Sequence, residues 1–344
     1  MLGLTIPDGR AEKGGDRHNL PQPDFDETGF VGRREEARAV LSQCLGTYPV
    51  VTVLGEGGLG KTALALKVAY ELLDQSEQRF ESIIWATSKS SQLTGSEVVT
   101  IRDSIKTSLG LFGEVAARLA GARFEDAVNE VLEYMEEFRV LVVLDNLETV
   151  VDERVRSFLG RLPAGGKVLI TSRVGLGAFE YPYRLRPMDG REAAQLLRAT
   201  AKARGIADLS GASSERLLGY CRRMHDNPGF IKWFVSAVQA GRRPEEVLSN
   251  PATFLNFCMQ NVYEYISGEG RAILRAMLAA PGYQSQAGLC FLTELGVDDL
   301  QRGLQQLLTT NMAVMSVQAG AAAHETLYSL AELPRAYLTR HHPP

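Results

Sequence analysis

Val50-Val51-Thr52-Val53-Leu54 runs directly into Gly55-Glu56-Gly57-Gly58-Leu59-Gly60-Lys61-Thr62, and this junction decides the fold. The second stretch meets the pattern of a Gly, four free positions and Gly-Lys-Ser/Thr. The apolar run before it predicts a buried strand, and Leu64, Val68 and Leu72 after it repeat at helical spacing. A strand, a Gly-rich loop and a helix in that order let backbone N–H groups face phosphate oxygens at the positive end of the helix. Lys61 is placed to neutralise β- and γ-phosphates, and the Thr62 hydroxyl to ligate Mg²⁺. With Glu56, Gly57, Gly58, Leu59, Gly60 and Ala63 they form a candidate site for a nucleoside triphosphate. A Gly-rich turn matching by chance would not be expected between a strand and a helix.

Working outward, apolar runs over 83–86, 140–144 and 167–171, with a shorter one over 183–185, predict four more strands separated by helices. Runs of this kind, apolar throughout rather than alternating, indicate an α/β fold with a parallel sheet buried on both faces. Asp145 ends the 140–144 run, the position from which a carboxylate reaches Mg²⁺ at the C-terminal edge of a sheet. Glu148, three residues on, is a candidate for orienting or deprotonating an attacking water; as a plain charge at a helix start it would have no catalytic role. Arg173 follows the 167–171 run and is a candidate cation for the γ-phosphate, against the plainer reading of a solvated surface arginine.

Composition bounds the rest. The chain has 344 residues, 45% of them hydrophobic and 23% charged, with a net charge of −4, which suits two or three ordinary globular domains and gives no bulk basic surface for nucleic acid. Cys44, Cys221, Cys258 and Cys290 are widely spaced and suit buried thiols rather than a disulfide framework or a zinc site. No apolar stretch is long enough to span a membrane, and a cytoplasmic protein is expected. Residues 1–24, rich in Gly and Pro, read as a leader or linker, and 25–187 as the phosphate-binding domain. After Pro187 helical patterns over 191–204, 214–224 and 229–240 predict an all-helical domain to residue 250. Helices over 254–266, 269–278, 286–295 and 297–308, then paired strands over 312–317 and 327–330, predict a winged-helix domain over 251–344.

The order of Phe30-Val31-Gly32-Arg33, the 55–62 loop, Trp85, Leu144-Asp145-Asn146-Leu147-Glu148 and Ile170-Thr171-Ser172-Arg173 resembles the NB-ARC ATPases of the STAND class, over about residues 25 to 340. That class includes plant disease-resistance proteins, apoptosome ATPases and bacterial antiviral or regulatory switches. The resemblance implies that Val31, Gly32 and Arg33 lie near the adenine, and that Pro228, in Asp226-Asn227-Pro228-Gly229, packs on the base from the helical domain. It also implies a winged helix docked back on the nucleotide in the resting state. Ala331 stands where the family often carries a His for the β-phosphate of ADP, which implies a weaker ADP-locked state; His324 reads instead as a wing or surface residue.

The resemblance implies an ADP/ATP-controlled switch with slow hydrolysis that opens and homo-oligomerises, in defence or death-like signalling. Effector and sensor domains are expected outside this chain, because no repeats of 20 to 50 residues occur in it. The alternative is an ATP-dependent transcription regulator. Charge argues against DNA contact, since the helix over 297–308 carries Asp298 and Asp299 against Arg302 alone. A third reading is a scaffold that binds ATP without cleaving it.

Overall fold

The computed structural model describes residues 18–23, 25, 28–75, 79–88, 91–93, 98–100, 112–115, 127–147, 153–173, 175–176, 180–249, 255, 259, 262–264, 266–310, 312–319 and 324–343. Its first half runs α1 (Arg34–Leu45), β1 (Val50–Leu54), α2 (Lys61–Leu73), β2 (Ser82–Thr87), β3 (Ser91–Leu93), β4 (Val98–Thr100), α3 (Ala127–Glu137), β5 (Val140–Asp145), α4 (Glu153–Gly160), β6 (Lys167–Ser172) and β7 (Tyr181–Arg184). Five strands form one parallel sheet in the order β2-β5-β6-β1-β7, and β3 and β4 pair as a small antiparallel hairpin.

Every residue of β1, β5 and β6 is buried, as their largely apolar sequences require. Alternation by two then divides their side chains between the faces. Val51, Val53, Leu141, Val143 and Leu169 join Val40 of α1 and Leu64 and Val68 of α2 on one face. Val50, Val140, Val142, Leu144, Val168 and Ile170 join Val131 of α3 and Phe158 of α4 on the other. The edge strand β7 carries Pro182, whose missing N–H an edge tolerates.

Strand order has a consequence for chemistry. Because β6 separates β1 from β5, with Leu54 opposite Ser172 and Leu144 opposite Ile170, the residue after β6 leaves the sheet between the phosphate loop and Asp145. At the opposite edge, buried Lys167 donates to the carbonyls of Gly46 at 2.8 Å, Gln43 at 3.5 Å and Tyr48, holding the C-terminal end of α1. The end of the expected leader joins the sheet: His18 bridges Ile83, and the Asn19 amide donates to the Trp85 carbonyl at 2.8 Å and accepts from its N–H at 2.6 Å.

The second half is helical at first: α5 (Gly190–Ala203), α6 (Ala207–Ser210), α7 (Ser214–Arg223), α8 (Pro228–Gln239) and α9 (Pro244–Ser249). Then follow α10 (Gly268–Ala279), β8 (Gln284–Ser285), α11 (Gln286–Thr293), α12 (Val297–Thr309), β9 (Ala313–Ala319), β10 (His324–Leu330) and α13 (Glu332–His341). Asp189, Ser213, Asn227, Ser267 and Ser285 cap five of these helices through their side-chain oxygens. One buried apolar cluster runs from Met188 through Trp233, Val262 and Ile266 to Leu338, so α5–α9 and the elements after them share a core.

The last strands form an antiparallel sheet in the order β8-β10-β9. The expected strands over 312–317 and 327–330 are β9 and β10, each longer than its apolar run. Two elements of this last part had no signature. Gln284 and Ser285 of β8 make no apolar run, and α13 begins at the segment read for a phosphate-side His, where Ala331 is the N-cap and donates its N–H to the Met312 carbonyl at 3.1 Å. The expected helix over 254–266 lies largely outside the described residues. Among the described residues no helix is long and apolar enough to cross a membrane.

Candidate nucleotide site

The phosphate loop turns because Gly58 and Gly60 adopt φ of +79° and +89°, a region other residues reach only with strain, and Gly60 then caps α2. Lys61, buried at the first turn of α2, donates its ammonium to the Gly55 carbonyl at 2.8 Å and the Glu56 carbonyl at 2.9 Å. Across the loop Asp145, 2% exposed at the end of β5, accepts hydroxyl bonds from α2, β6 and β2. Thr62 and Thr171 donate to Oδ1 at 2.7 and 2.6 Å, and Thr87 to Oδ2 at 3.0 Å. The Thr171 hydroxyl accepts in turn from the Asn146 N–H at 3.0 Å, which fixes its proton toward Asp145. A carboxylate held by three hydroxyls has one orientation, with Thr62 between it and the loop.

Arg33 closes the site from the side of α1. With φ of +54° at the N-cap, its buried guanidinium donates to the carbonyls of Arg186 at 2.8 Å and Leu59 at 3.1 Å and pairs with Glu36 at 3.3 Å. Its own N–H meets the Glu192 carboxylate of α5 at 3.2 Å. Burial pulls the Arg33 pKa down, and the carboxylates of Glu36 and Glu192 oppose that pull. Arg33 thus ties α1, the phosphate loop and the 186 segment together.

α8 meets the loop head-on. The Asn227 amide donates to the Gly57 carbonyl at 3.0 Å, and the Gly229 N–H donates to the Gly58 carbonyl at 2.8 Å. Between the two halves lies a cavity of about 560 Å³. Of the residues chosen from the sequence, Val31, Arg33, Gly57, Gly58, Leu59, Gly60, Lys61, Thr62, Ala63, Asp145, Arg173 and Pro228 line it. Gly32 and Glu56 do not, and Glu148 lies outside the described residues. Arg173 is 6% exposed, so it faces the cavity rather than solvent.

Residues 34–179 match the NB-ARC domain family. The chain is similar to that family over this span. Its match contains the loop, Asp145 and Arg173, and ends before α5. The chain is 30% identical over 158 residues to the transcription activator GutR of Bacillus subtilis, covering 45% of this chain and 18% of GutR. It is 29% identical over 171 residues to the disease resistance protein RPM1 of Arabidopsis thaliana, covering 46% of this chain and 17% of RPM1. The matches therefore span less than a fifth of either curated relative. Among solved structures, a STAND protein with a tetratricopeptide repeat sensor from Pyrococcus horikoshii is similar at 17% identity and a TM-score of 0.40, over 90% of this chain and 42% of that one. AMPPCP-bound DnaA from Aquifex aeolicus is similar at 10% identity and a TM-score of 0.41, over 84% and 93%. At those scores the likeness is too slight to bear on function.

The cavity also draws on residues the motifs did not indicate. Asn19, Thr87, Met188, Leu196 and Lys232 line it. None of these carried a local signal, whereas Pro228 follows Asn227 as an Asx cap before Pro at a helix start. The docked winged helix implied by the resemblance differs from what is seen. Among the described residues nothing after Lys232 lines the cavity, because the last elements bury their apolar faces against α5–α9 instead.

Proposed function

We propose that this chain is the nucleotide-operated core of a STAND-class signalling ATPase, with residues 25–187 as the phosphate-binding domain, 188–250 as a helical domain and 251–344 as a winged-helix domain. One observation carries the reading: the cavity bearing Lys61, Thr62, Asp145 and Arg173 is completed by Pro228, Gly229 and Lys232 from the far side of the chain. A ligand that touches both halves biases their arrangement by whatever it contacts differently in each state. Lys61 and the loop N–H groups bind the phosphates, Arg173 reads the γ-phosphate, and Val31, Arg33 and Pro228 hold the adenosine. The Thr62 hydroxyl and the Asp145 carboxylate, 2.7 Å apart, are an all-oxygen pair that fits Mg²⁺. Mg²⁺ there supplies charge neutralisation at the β- and γ-phosphates.

In this reading ADP holds the halves together, exchange for ATP opens them, and the opened chain homo-oligomerises in defence or death-like signalling. Hydrolysis is slow and works as a timer. The test is the nucleotide content of the purified chain together with its mass by light scattering in ADP and in ATP. Bound adenosine nucleotide and a larger mass in ATP support the switch; no bound nucleotide, or one mass in both, overturns it.

The match to GutR favours a second reading, an ATP-dependent transcription regulator. Against it, the exposed face of α12 presents Asp298 and Asp299, and its one arginine, Arg302, is paired with Asp299. Specific, salt-dependent retardation of a DNA fragment by this chain would favour the second reading over the first.

A further inference from the structure

The phosphate loop does not stand alone, because α8 grips it by two consecutive carbonyls. Asn227 is fully buried and uses its whole amide: Nδ2 donates to the Gly57 carbonyl at 3.0 Å, and Oδ1 accepts the N–H groups of Gly229 at 3.0 Å and Phe230 at 3.2 Å. The Gly229 N–H is shared with the Gly58 carbonyl at 2.8 Å. Contact is so close that a Cβ on Gly229 would lie 2.6 Å from the Gly58 Cα and 2.9 Å from its oxygen. The turn that presents Asn227 is strained. His225 and Asp226 both hold left-handed φ, +55° and +49°, and the Met188 N–H pins the Asp226 carbonyl at 3.1 Å. Two adjacent non-Gly residues in that region persist only where the surroundings enforce them.

Peptide planarity gives the grip its consequence. In a trans peptide the carbonyl of one residue and the N–H of the next point in opposite directions. With the Gly57 and Gly58 carbonyls fixed toward α8, the N–H groups of Gly58 and Leu59 are fixed away from it. Gly57-Gly58 would otherwise rotate freely, since glycine has no Cβ to choose among peptide orientations. We infer that Asn227, with Gly229, is a positioning residue for phosphate recognition: α8 sets the peptide planes of the phosphate loop, so the loop is an anion site only while α8 is seated on it. The inference rests on the nucleotide reading above and deepens it. It makes phosphate affinity and the seating of α8 two sides of one coupling, each raising the other.

Asn227→Asp separates the two duties of the residue. Aspartate caps a helix as well as asparagine, so α8 keeps its start. It cannot donate to the Gly57 carbonyl, and it sets a negative oxygen against it. Calorimetric titration of the full chain with ADP and with adenosine tests the idea, because adenosine has no phosphates for the loop to read. Asn227→Asp is expected to weaken ADP about tenfold while adenosine stays within about twofold. Gly229→Ala, which lifts α8 from the other side of the contact, is expected to weaken ADP at least as much, and adenosine with it because Pro228 moves too; it shows that ADP needs α8 seated if the aspartate variant does not fold. Lys61→Ala is the control for the reading itself. ADP bound by wild type, lost in Lys61→Ala and unchanged in Asn227→Asp and Gly229→Ala overturns the inference alone. An equal loss of ADP and adenosine in Asn227→Asp also overturns it, since that marks a general packing role. No ADP binding by wild type overturns both inference and reading.

Discussion

The two halves of the molecule build their share of the cavity differently. The sheet half brings it in blocks: the loop follows β1, Asp145 ends β5 and Arg173 follows β6, so three strand ends meet at one edge. The second half brings single residues, Met188, Leu196, Pro228, Gly229 and Lys232, set on helices whose main business is an apolar core of their own. A parallel sheet aligns its strand ends by its hydrogen-bonding register, and that register alone brings the three blocks to one edge. A helical unit has no such register and must be fastened to the sheet half by individual contacts, here Asn227, Gly229 and the bond from the Arg33 N–H to Glu192.

That contrast can be broken or sharpened by substitution. The largest effect is expected from Lys61→Ala, a loss of roughly a hundredfold in ADP affinity by calorimetry, because a charge-assisted contact to phosphate goes with the ammonium. Asp145→Asn leaves three hydroxyls with a poorer acceptor and a competing donor. A drop of about 2 kcal/mol in the sheet half's urea stability is expected, with the Mg²⁺ dependence of ADP binding lost. Lys167→Met lies in the same half but at the other edge of the sheet. It should cost about 1–2 kcal/mol by loosening the end of α1, while ADP affinity holds within about twofold; a large loss of affinity would mean the two sheet edges are coupled.

The buried thiols give a pH test in both halves. Burial pushes Cys44 and Cys221 up to about 12 from the ordinary 9.0. The unfolded thiols ionise first, so the stability each contributes is fully present below 9.0 and falls as pH rises toward about 12. Urea midpoints across that window should fall less steeply in Cys44→Ala and Cys221→Ala. The smallest effect is expected at the far end of the second half. Phe291 on α11 is 85% exposed, and Phe291→Ser should leave ADP affinity within about twofold.

Much of the sheet half was legible because its signals are local. The phosphate loop needs glycine at fixed spacing, and a strand buried on both faces must be largely apolar, so the 55–62 loop, the strands β1, β5 and β6 and Asp145 announce themselves. Asn19, Thr87 and Thr171 did not, because a hydroxyl or amide at a strand end looks the same whether it faces solvent or a carboxylate. β8 was illegible because it is two polar residues that become a strand only by pairing with Tyr328 and Leu327 of β10.

The sequence by itself therefore determined that a phosphate loop sits between a buried strand and a helix, with a carboxylate at the end of another strand, since these follow from spacing and hydrophobicity within a few residues. Only the tertiary structure decided that β6 stands between them, that three threonine hydroxyls share Asp145, and that Asn227 holds the Gly57 carbonyl across 170 positions of chain. Contacts at that separation depend on how two cores dock, which no local period in the sequence records.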